Sequence, residues 1–218
     1  MTFGTNDFVV PLFVLGHTLE QVQLSISNIS NAMVANTEEL YEQGARTLMV
    51  FNIPPLGCYP AFLASSRIRN MSTVDTYGCL ATLNAAIEAT NTLIRTGLQE
   101  LQVKHPDATI IYADLYKVLQ NLIRNGTSYG FKEAFKACCG AGGGAYNTIV
   151  QCGASAIVNG ELVQGKSCSE PRTYIHWDGI HTTEAAASFV AKTFLQGKHL
   201  EPSYKLAKLC SLSYEQFH

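Results

Sequence analysis

Thr47-Leu-Met-Val-Phe-Asn-Ile53, followed at once by Pro54-Pro55, is the stretch that decides the fold class. Nearly every residue in it is apolar and polar residues do not alternate, as in a strand buried on both faces of a parallel sheet. Thr109-Ile-Ile-Tyr-Ala113 repeats the pattern. Helical signals flank both runs. Thr18-Leu-Glu-Gln21 reads as a capping box with Thr18 as N-cap. Leu19, Val22, Ile26, Ile29 and Met33 then recur at three- and four-residue steps, toward a stop at Gly44. Leu80, Leu83, Ile87, Ile94, Leu98 and Leu101 mark a second long helix that must end before His105-Pro106. Asp114 is placed to cap a third helix through Leu119, Leu122 and Ile123, closed by Asn125-Gly126. Thr182 or Thr183 opens a last one carrying Ala186, Phe189, Val190 and Phe194, with Gly197 beyond it. Helices alternating with buried strands predict an α/β sheet with covered faces. No repeat or linker divides residues 1–218, which read as a single domain.

Regularity fails from Tyr129 to Trp177. Gly140, Gly142, Gly143 and Gly144 make a flexible loop among cysteines. A phosphate cradle is excluded, because no buried strand precedes the glycines and no Lys-Ser/Thr follows them. His176, at the end of this region, reads as a loop residue. Four of the seven cysteines fall here: Cys138, Cys139, Cys152 and Cys168. Zinc is the rival to disulfides, but adjacent Cys138 and Cys139 lack the usual ligand spacing. Even pairing within two local clusters predicts Cys58–Cys79 and two bridges among the later four, with Cys210 left unpaired. Four cysteines allow three connectivities, and the choice stays open.

Cysteine usage of this kind, with sequons at Asn28, Asn70 and Asn125, points to a secreted glycoprotein. Residues 1–20 nevertheless hold no signal peptide, since Met1-Thr-Phe3 leads straight into polar Gly4-Thr-Asn-Asp7. A missing N-terminal portion would reconcile the two observations. With 15 basic and 17 acidic residues, net charge is -2, which gives no electrostatic case for nucleic acid or an anionic membrane. No apolar run reaches the roughly 20 residues of a membrane span.

Two short constellations carry chemistry. In His176-Trp-Asp-Gly-Ile-His181-Thr-Thr-Glu184 a turn can bring the Asp178 carboxylate onto the His181 ring, freeing Nε2 as a general base. The bland alternative has Asp178 capping the following helix and His181 as a surface histidine. Gly4-Thr-Asn6-Asp7 is an ordinary turn by itself, or a glycine and an amide donor for a developing oxyanion.

Taken in order, these segments resemble conserved blocks of the GDSL, or SGNH, hydrolases. Gly4-Thr-Asn6-Asp7 is similar to the third block and Asp178-Gly-Ile-His181 to the fifth. Asn52-Ile-Pro-Pro-Leu-Gly-Cys58, Lys136-Ala-Cys-Cys-Gly140 and Trp177-Asp-Gly-Ile-His-Thr-Thr-Glu-Ala185 look like the plant branch. The resemblance runs from Gly4 to about Leu195. It implies a flavodoxin-like three-layer α/β/α sandwich with a parallel sheet of about five strands, and hydrolysis of small-molecule or lipid carboxylic esters without cofactor or metal. Asp178 and His181 would be members of a Ser-His-Asp triad, and Asn6 an oxyanion-hole donor.

The family's Gly-Asp-Ser block and its second block have no counterpart in these 218 residues, so the chain reads as N-terminally truncated. No Gly-x-Ser-x-Gly replaces the nucleophile, and Ser65-Ser66 lie in a polar segment without a base. Little or no esterase activity is therefore expected of the chain alone, and the Thr47–Ile53 strand is expected to have an open edge. The alternative is a non-catalytic secreted binding remnant of the same fold. A metal-dependent hydrolase using His17, His105, His176 and His181 is a third reading, without any recognisable ligand spacing.

Overall fold

The computed structural model describes residues 1, 4–204 and 206. Cys210 lies outside them. In chain order the first elements are helix α1 (Asn6–Val9), running on into a π-helical turn (Val10–Val14), then α2 (Leu19–Gln23), α3 (Ile26–Glu42) and strand β1 (Thr47–Phe51). Next come α4 (Pro60–Ala64), α5 (Ser66–Asn70), α6 (Ala81–Lys104), β2 (Thr109–Ala113) and α7 (Leu115–Asn125). The irregular region holds β3 (Glu133–Ala137), β4 (Cys139–Gly140), β5 (Ser155–Val158), β6 (Glu161–Gln164), β7 (Lys166–Ser167) and β8 (Tyr174–His176). The chain continues with α8 (Glu184–Leu195) and β9 (Leu200–Glu201). No helix among the described residues is long and apolar enough to cross a membrane.

These elements group into two compact units, the first formed by Met1–Pro54, Ala85–Val118 and Ala191–His218. At its centre β1 pairs in parallel with β2, from Thr47 opposite Thr109 to Phe51 opposite Ala113. β9 adds antiparallel on the far side of β2. β2 is buried almost throughout, as its apolar run predicts. β1 departs from the expectation: Leu48 and Val50 are buried, whereas Met49 and Phe51 are only half-buried and Thr47 is exposed. Only one face is fully covered, and among the described residues β1 ends the sheet order, the edge position expected for it. The Met1 backbone occupies part of that edge, its amine donating to Met49 O at 2.6 Å and its carbonyl accepting from Phe51 N at 3.0 Å. Among the described residues the largest sheet has three strands.

The capping box forms as read, with Thr18 Oγ1 accepting from Gln21 N and Gln21 Oε1 accepting from Thr18 N. The helix it opens is shorter than the periodicity predicts. A tight Ser25 N to Val22 O bond of 2.9 Å separates α2 from α3 and leaves Leu24 at 84% exposure. The buried face nevertheless continues through Leu19, Val22, Ile29 and Met33, because the break preserves the phase of the apolar stripe.

Past the C-terminal ends of β1 and β2 a buried polar pin locks the strands. Asn52 Nδ2 donates to the Tyr112 hydroxyl at 2.6 Å and to Asp114 Oδ1 at 2.9 Å, while Asn52 Oδ1 accepts from Tyr116 N. Asp114 Oδ1 also accepts from Lys117 N, the predicted cap of α7. Asn91, reaching from α6, makes a paired bond to the N–H and carbonyl of Ile53. One side chain short, the network would strand buried donors. Asn52→Leu is accordingly expected to cost about 2–4 kcal/mol in urea unfolding, more than Tyr112→Phe, which removes a single hydroxyl. An Asn52→Leu variant as stable as the parent would contradict the pin.

Candidate active site

The second unit, Pro55–Asn84 with Leu119–Val190, holds Asp178 and His181. Its first half is tied by the predicted Cys58–Cys79 disulfide. Its second half, where the sequence shows no regular pattern, forms short ladders: β3 pairs in parallel with β8, β4 pairs antiparallel with β7, and β5 and β6 form an antiparallel hairpin. Successive side chains on an extended chain point to opposite sides, so Cys138 and Cys139 can serve two different bridges. Cys138 joins Cys168 and Cys139 joins Cys152, one loop nested in the other. In the chain-entropy model each such closure contributes about 3 kcal/mol, less when nested.

This frame holds the segment before Asp178 by its backbone. Cys138 N donates to His176 O at 3.0 Å and Cys139 N donates to Trp177 O. On the other side Trp177 N donates to His181 O at 2.8 Å, closing a turn over residues 177–181. Thr183, not Asp178, then caps α8, its Oγ1 accepting from Ala186 N.

Within that turn Asp178 both binds backbone N–H groups and meets the His181 ring, without capping the helix that follows. Oδ1 accepts from the backbone N–H groups of Ile180 (2.8 Å) and His181 (2.7 Å), and Oδ2 lies 2.8 Å from His181 Nδ1. A carboxylate only accepts, so this contact requires the proton on Nδ1 and leaves Nε2 with its lone pair. Partial burial pushes the Asp178 carboxyl up, but the His181 N–H, the His181 ring and the Ile180 N–H outweigh it and hold the acid below its ordinary range. The His181 side chain is 76% exposed, so its outer edge is open to solvent.

Gly179 accounts for the glycine of this turn. A Cβ there would lie 2.7 Å from the Ala61 Cβ, and the Gly179 carbonyl accepts from Ala61 N at 3.1 Å. The turn therefore leans on the start of α4. Beside it opens a cleft of about 350 Å³ bounded by the Cys139–Cys152 bridge and by Asp178 and His181. Sequence reasoning missed Ala61 and the cleft, for which only the glycine within Asp178-Gly-Ile-His181 gave a signal.

Asn6 belongs to the first unit. It is the exposed first residue of α1, two residues after a buried Gly4 at φ +99° whose Cβ would meet Ile53 Cγ1 at 2.9 Å. Asn70 and Asn125 are exposed at the ends of α5 and α7, whereas Asn28 is exposed within α3 and its Ser30 is buried. No group of three or more His, Cys, Asp or Glu side chains able to hold a metal occurs among the described residues. His105 instead lies 2.8 Å from Glu38 Oε1, which also meets the exposed Lys104 ammonium, in a half-buried cluster.

His176 corrects the sequence reading. It is the last residue of β8, wholly buried, with its ring edge-on to Tyr59 at 4.6 Å between centroids. Neither ring nitrogen has a hydrogen-bond partner among the described residues. Burial pushes its pKa from 6.5 down to about 3, against the opposing pull of the Asp178 charge. A histidine depressed in the folded state lets the unfolded chain bind the extra proton first. Its contribution is intact above pH 6.5 and is lost progressively as pH falls toward 3, by a few kcal/mol in order of magnitude. His176→Leu should therefore flatten the acid limb of a stability–pH curve by about one proton while leaving pH 7 stability equal or higher. An unchanged acid limb would contradict this account.

Comparison with known proteins fits the geometry. The sequence model of the GDSL-like Lipase/Acylhydrolase family matches residues 1–194. Over 210 residues the chain is 37% identical to GDSL esterase/lipase At4g01130 of Arabidopsis thaliana, covering 95% of this chain and 54% of the relative. GDSL esterase/lipase ENOD8 of Medicago truncatula is 36% identical over 209 residues, covering 95% and 53%. GDSL esterase/lipase ACHE of Zea mays is 34% identical over 210 residues, covering 95% and 52%. The chain thus spans about half the length of these curated relatives. By the extent of the family match, and with its mixed helices and parallel strands, this chain belongs to the GDSL-like lipase/acylhydrolase family and its α/β fold class.

Proposed function

We propose that these residues form the base-bearing part of one carboxylic-ester hydrolase domain working by acyl transfer. The observation that carries the reading is the 2.8 Å contact between Asp178 Oδ2 and His181 Nδ1 on a ring whose outer edge faces solvent. His181 Nε2 takes the proton of a serine hydroxyl as it attacks the ester carbonyl, and Asp178 stabilises the imidazolium so formed. The proton then passes to the leaving alcohol oxygen, and water repeats the cycle on the acyl-enzyme. Asn6 donates its amide to the oxyanion. No Gly-Asp-Ser block occurs in these 218 residues, so the reading takes the serine from outside them.

Three disulfides support an oxidising, extracellular setting, and Asn70 and Asn125 are the sequons exposed at helix ends. The substrate is a small-molecule or lipid ester.

Hydrolysis of p-nitrophenyl acetate and butyrate tests the reading, using the 218-residue chain, an N-terminally extended version carrying Gly-Asp-Ser, and His181→Ala in each. The extended chain should turn over and lose at least about a thousandfold with His181→Ala, while the short chain stays near background. Equal activity of both chains, abolished by His181→Ala, would mean a nucleophile within these residues. An extended chain whose turnover is indifferent to His181→Ala would overturn the assignment, and an extended chain without turnover would favour the non-catalytic binding remnant.

A further inference from the structure

We propose that the cleft beside His181 binds the alcohol portion of the ester, and that Thr148 and Gln151 set which alcohols fit. This rests on the reading of Asp178 and His181 as the acid–base pair, and it assigns one half of the substrate to a defined place.

The argument begins with the proton. The imidazolium returns it to the leaving oxygen, so that oxygen must come within hydrogen-bond reach of Nε2, and the carbons attached to it must lie beside the ring. The carbonyl oxygen, by contrast, is turned toward oxyanion donors and away from the base. His181 is among the residues that line the cleft, so carbons attached to an oxygen at the ring have this cleft as the adjoining space.

Its walls state the chemistry of the guest. Ala61, Val150 and Ile180 present aliphatic surface, and the Thr148 hydroxyl and Gln151 amide present hydrogen-bonding groups. Val150 is buried and Gln151 exposed, so the aliphatic surface includes a sheltered residue and the polar groups an outer one. At about 350 Å³ the cleft lies near the lower end of small-molecule sites, which is room enough for a short alcohol or diol. The dimensions are held rather than adaptable. Thr148, Val150 and Gln151 lie within the 13-residue span closed by Cys139–Cys152, and Val150 and Ala141 exchange backbone hydrogen bonds of 2.8 and 3.0 Å. On the opposite side Ile180 is fixed by its own N–H to Asp178. The carboxylate that orients the base thus also positions one wall of the cleft.

Amide chemical-shift titration of the 218-residue chain separates the two halves of an ester, with 1,2-propanediol as the alcohol probe and propionate as the acyl probe. The amides of Gln151, Gly179 and Ile180 should shift with the diol and stay in place with propionate. Thr148→Trp and Gln151→Trp, tested separately, should each weaken the apparent diol affinity by at least about tenfold, with all three disulfides intact and the β1 and β2 amides unmoved. Propionate shifting the same amides as strongly, or no diol response at those amides, would overturn the proposal. So would two folded variants that titrate like the parent. The titration reads binding without turnover, so its failure is distinguishable from failure of the esterase assay: a chain can bind the diol and not hydrolyse, or hydrolyse through His181 with the cleft empty.

Discussion

Both oxygens of one carboxylate are committed at the centre of this structure. Asp178 Oδ1 collects the two backbone N–H groups of Ile180 and His181, and Oδ2 meets the His181 ring. The first set of bonds builds the turn and the second orients the His181 ring, so the fold of the turn and the proposed chemistry share one group. The Asp178–His181 contact itself is partly exposed and carries little stability. What gives it a fixed place is the backbone around it, where the Cys138 and Cys139 amides hold the carbonyls of His176 and Trp177. Those cysteines are in turn anchored by bridges to Cys168 and Cys152. An exposed side chain carried on a loop needs such a scaffold to keep one place, because loop backbone alone is mobile.

Much of the first unit was legible because it follows periodic rules. The apolar run of β2, the stripe through Ile87, Ile94 and Leu98, and the Thr18 capping box each state a local preference that tertiary packing then uses. The half-buried faces of β1 were not legible, since Met49 and Phe51 look identical in sequence whether a strand is central or at an edge. Nor was the break at Leu24-Ser25, where a single tightened bond interrupts a stripe whose phase survives.

The second unit obeys different rules. Its short strands are held in register by disulfides and by main-chain bonds between distant segments, which leave no period in the sequence. The first bridge could be inferred from two isolated cysteines, whereas the other pairing depended on which side of the chain each adjacent cysteine faced. His176 was misplaced for the same reason. A histidine before Trp177 and Asp178 looks like a loop residue, and only the pairing of β8 with β3 shows it buried against Tyr59. The Asp178–His181 pair was visible through its family resemblance. From spacing alone it was indistinguishable from a turn, and it is also a turn.

The central claim is that Asp178 holds the proton on His181 Nδ1 and leaves Nε2 as the acceptor. Long-range ¹H–¹⁵N NMR of the His181 ring, at a pH where that ring is neutral, reads the tautomer directly. The account predicts the Nδ1–H form in the parent chain and a shift toward the Nε2–H form in Asp178→Ala, with the β1 and β2 amides unchanged. A parent chain with its proton on Nε2, or an Asp178→Ala variant with the same tautomer population as the parent, would contradict it.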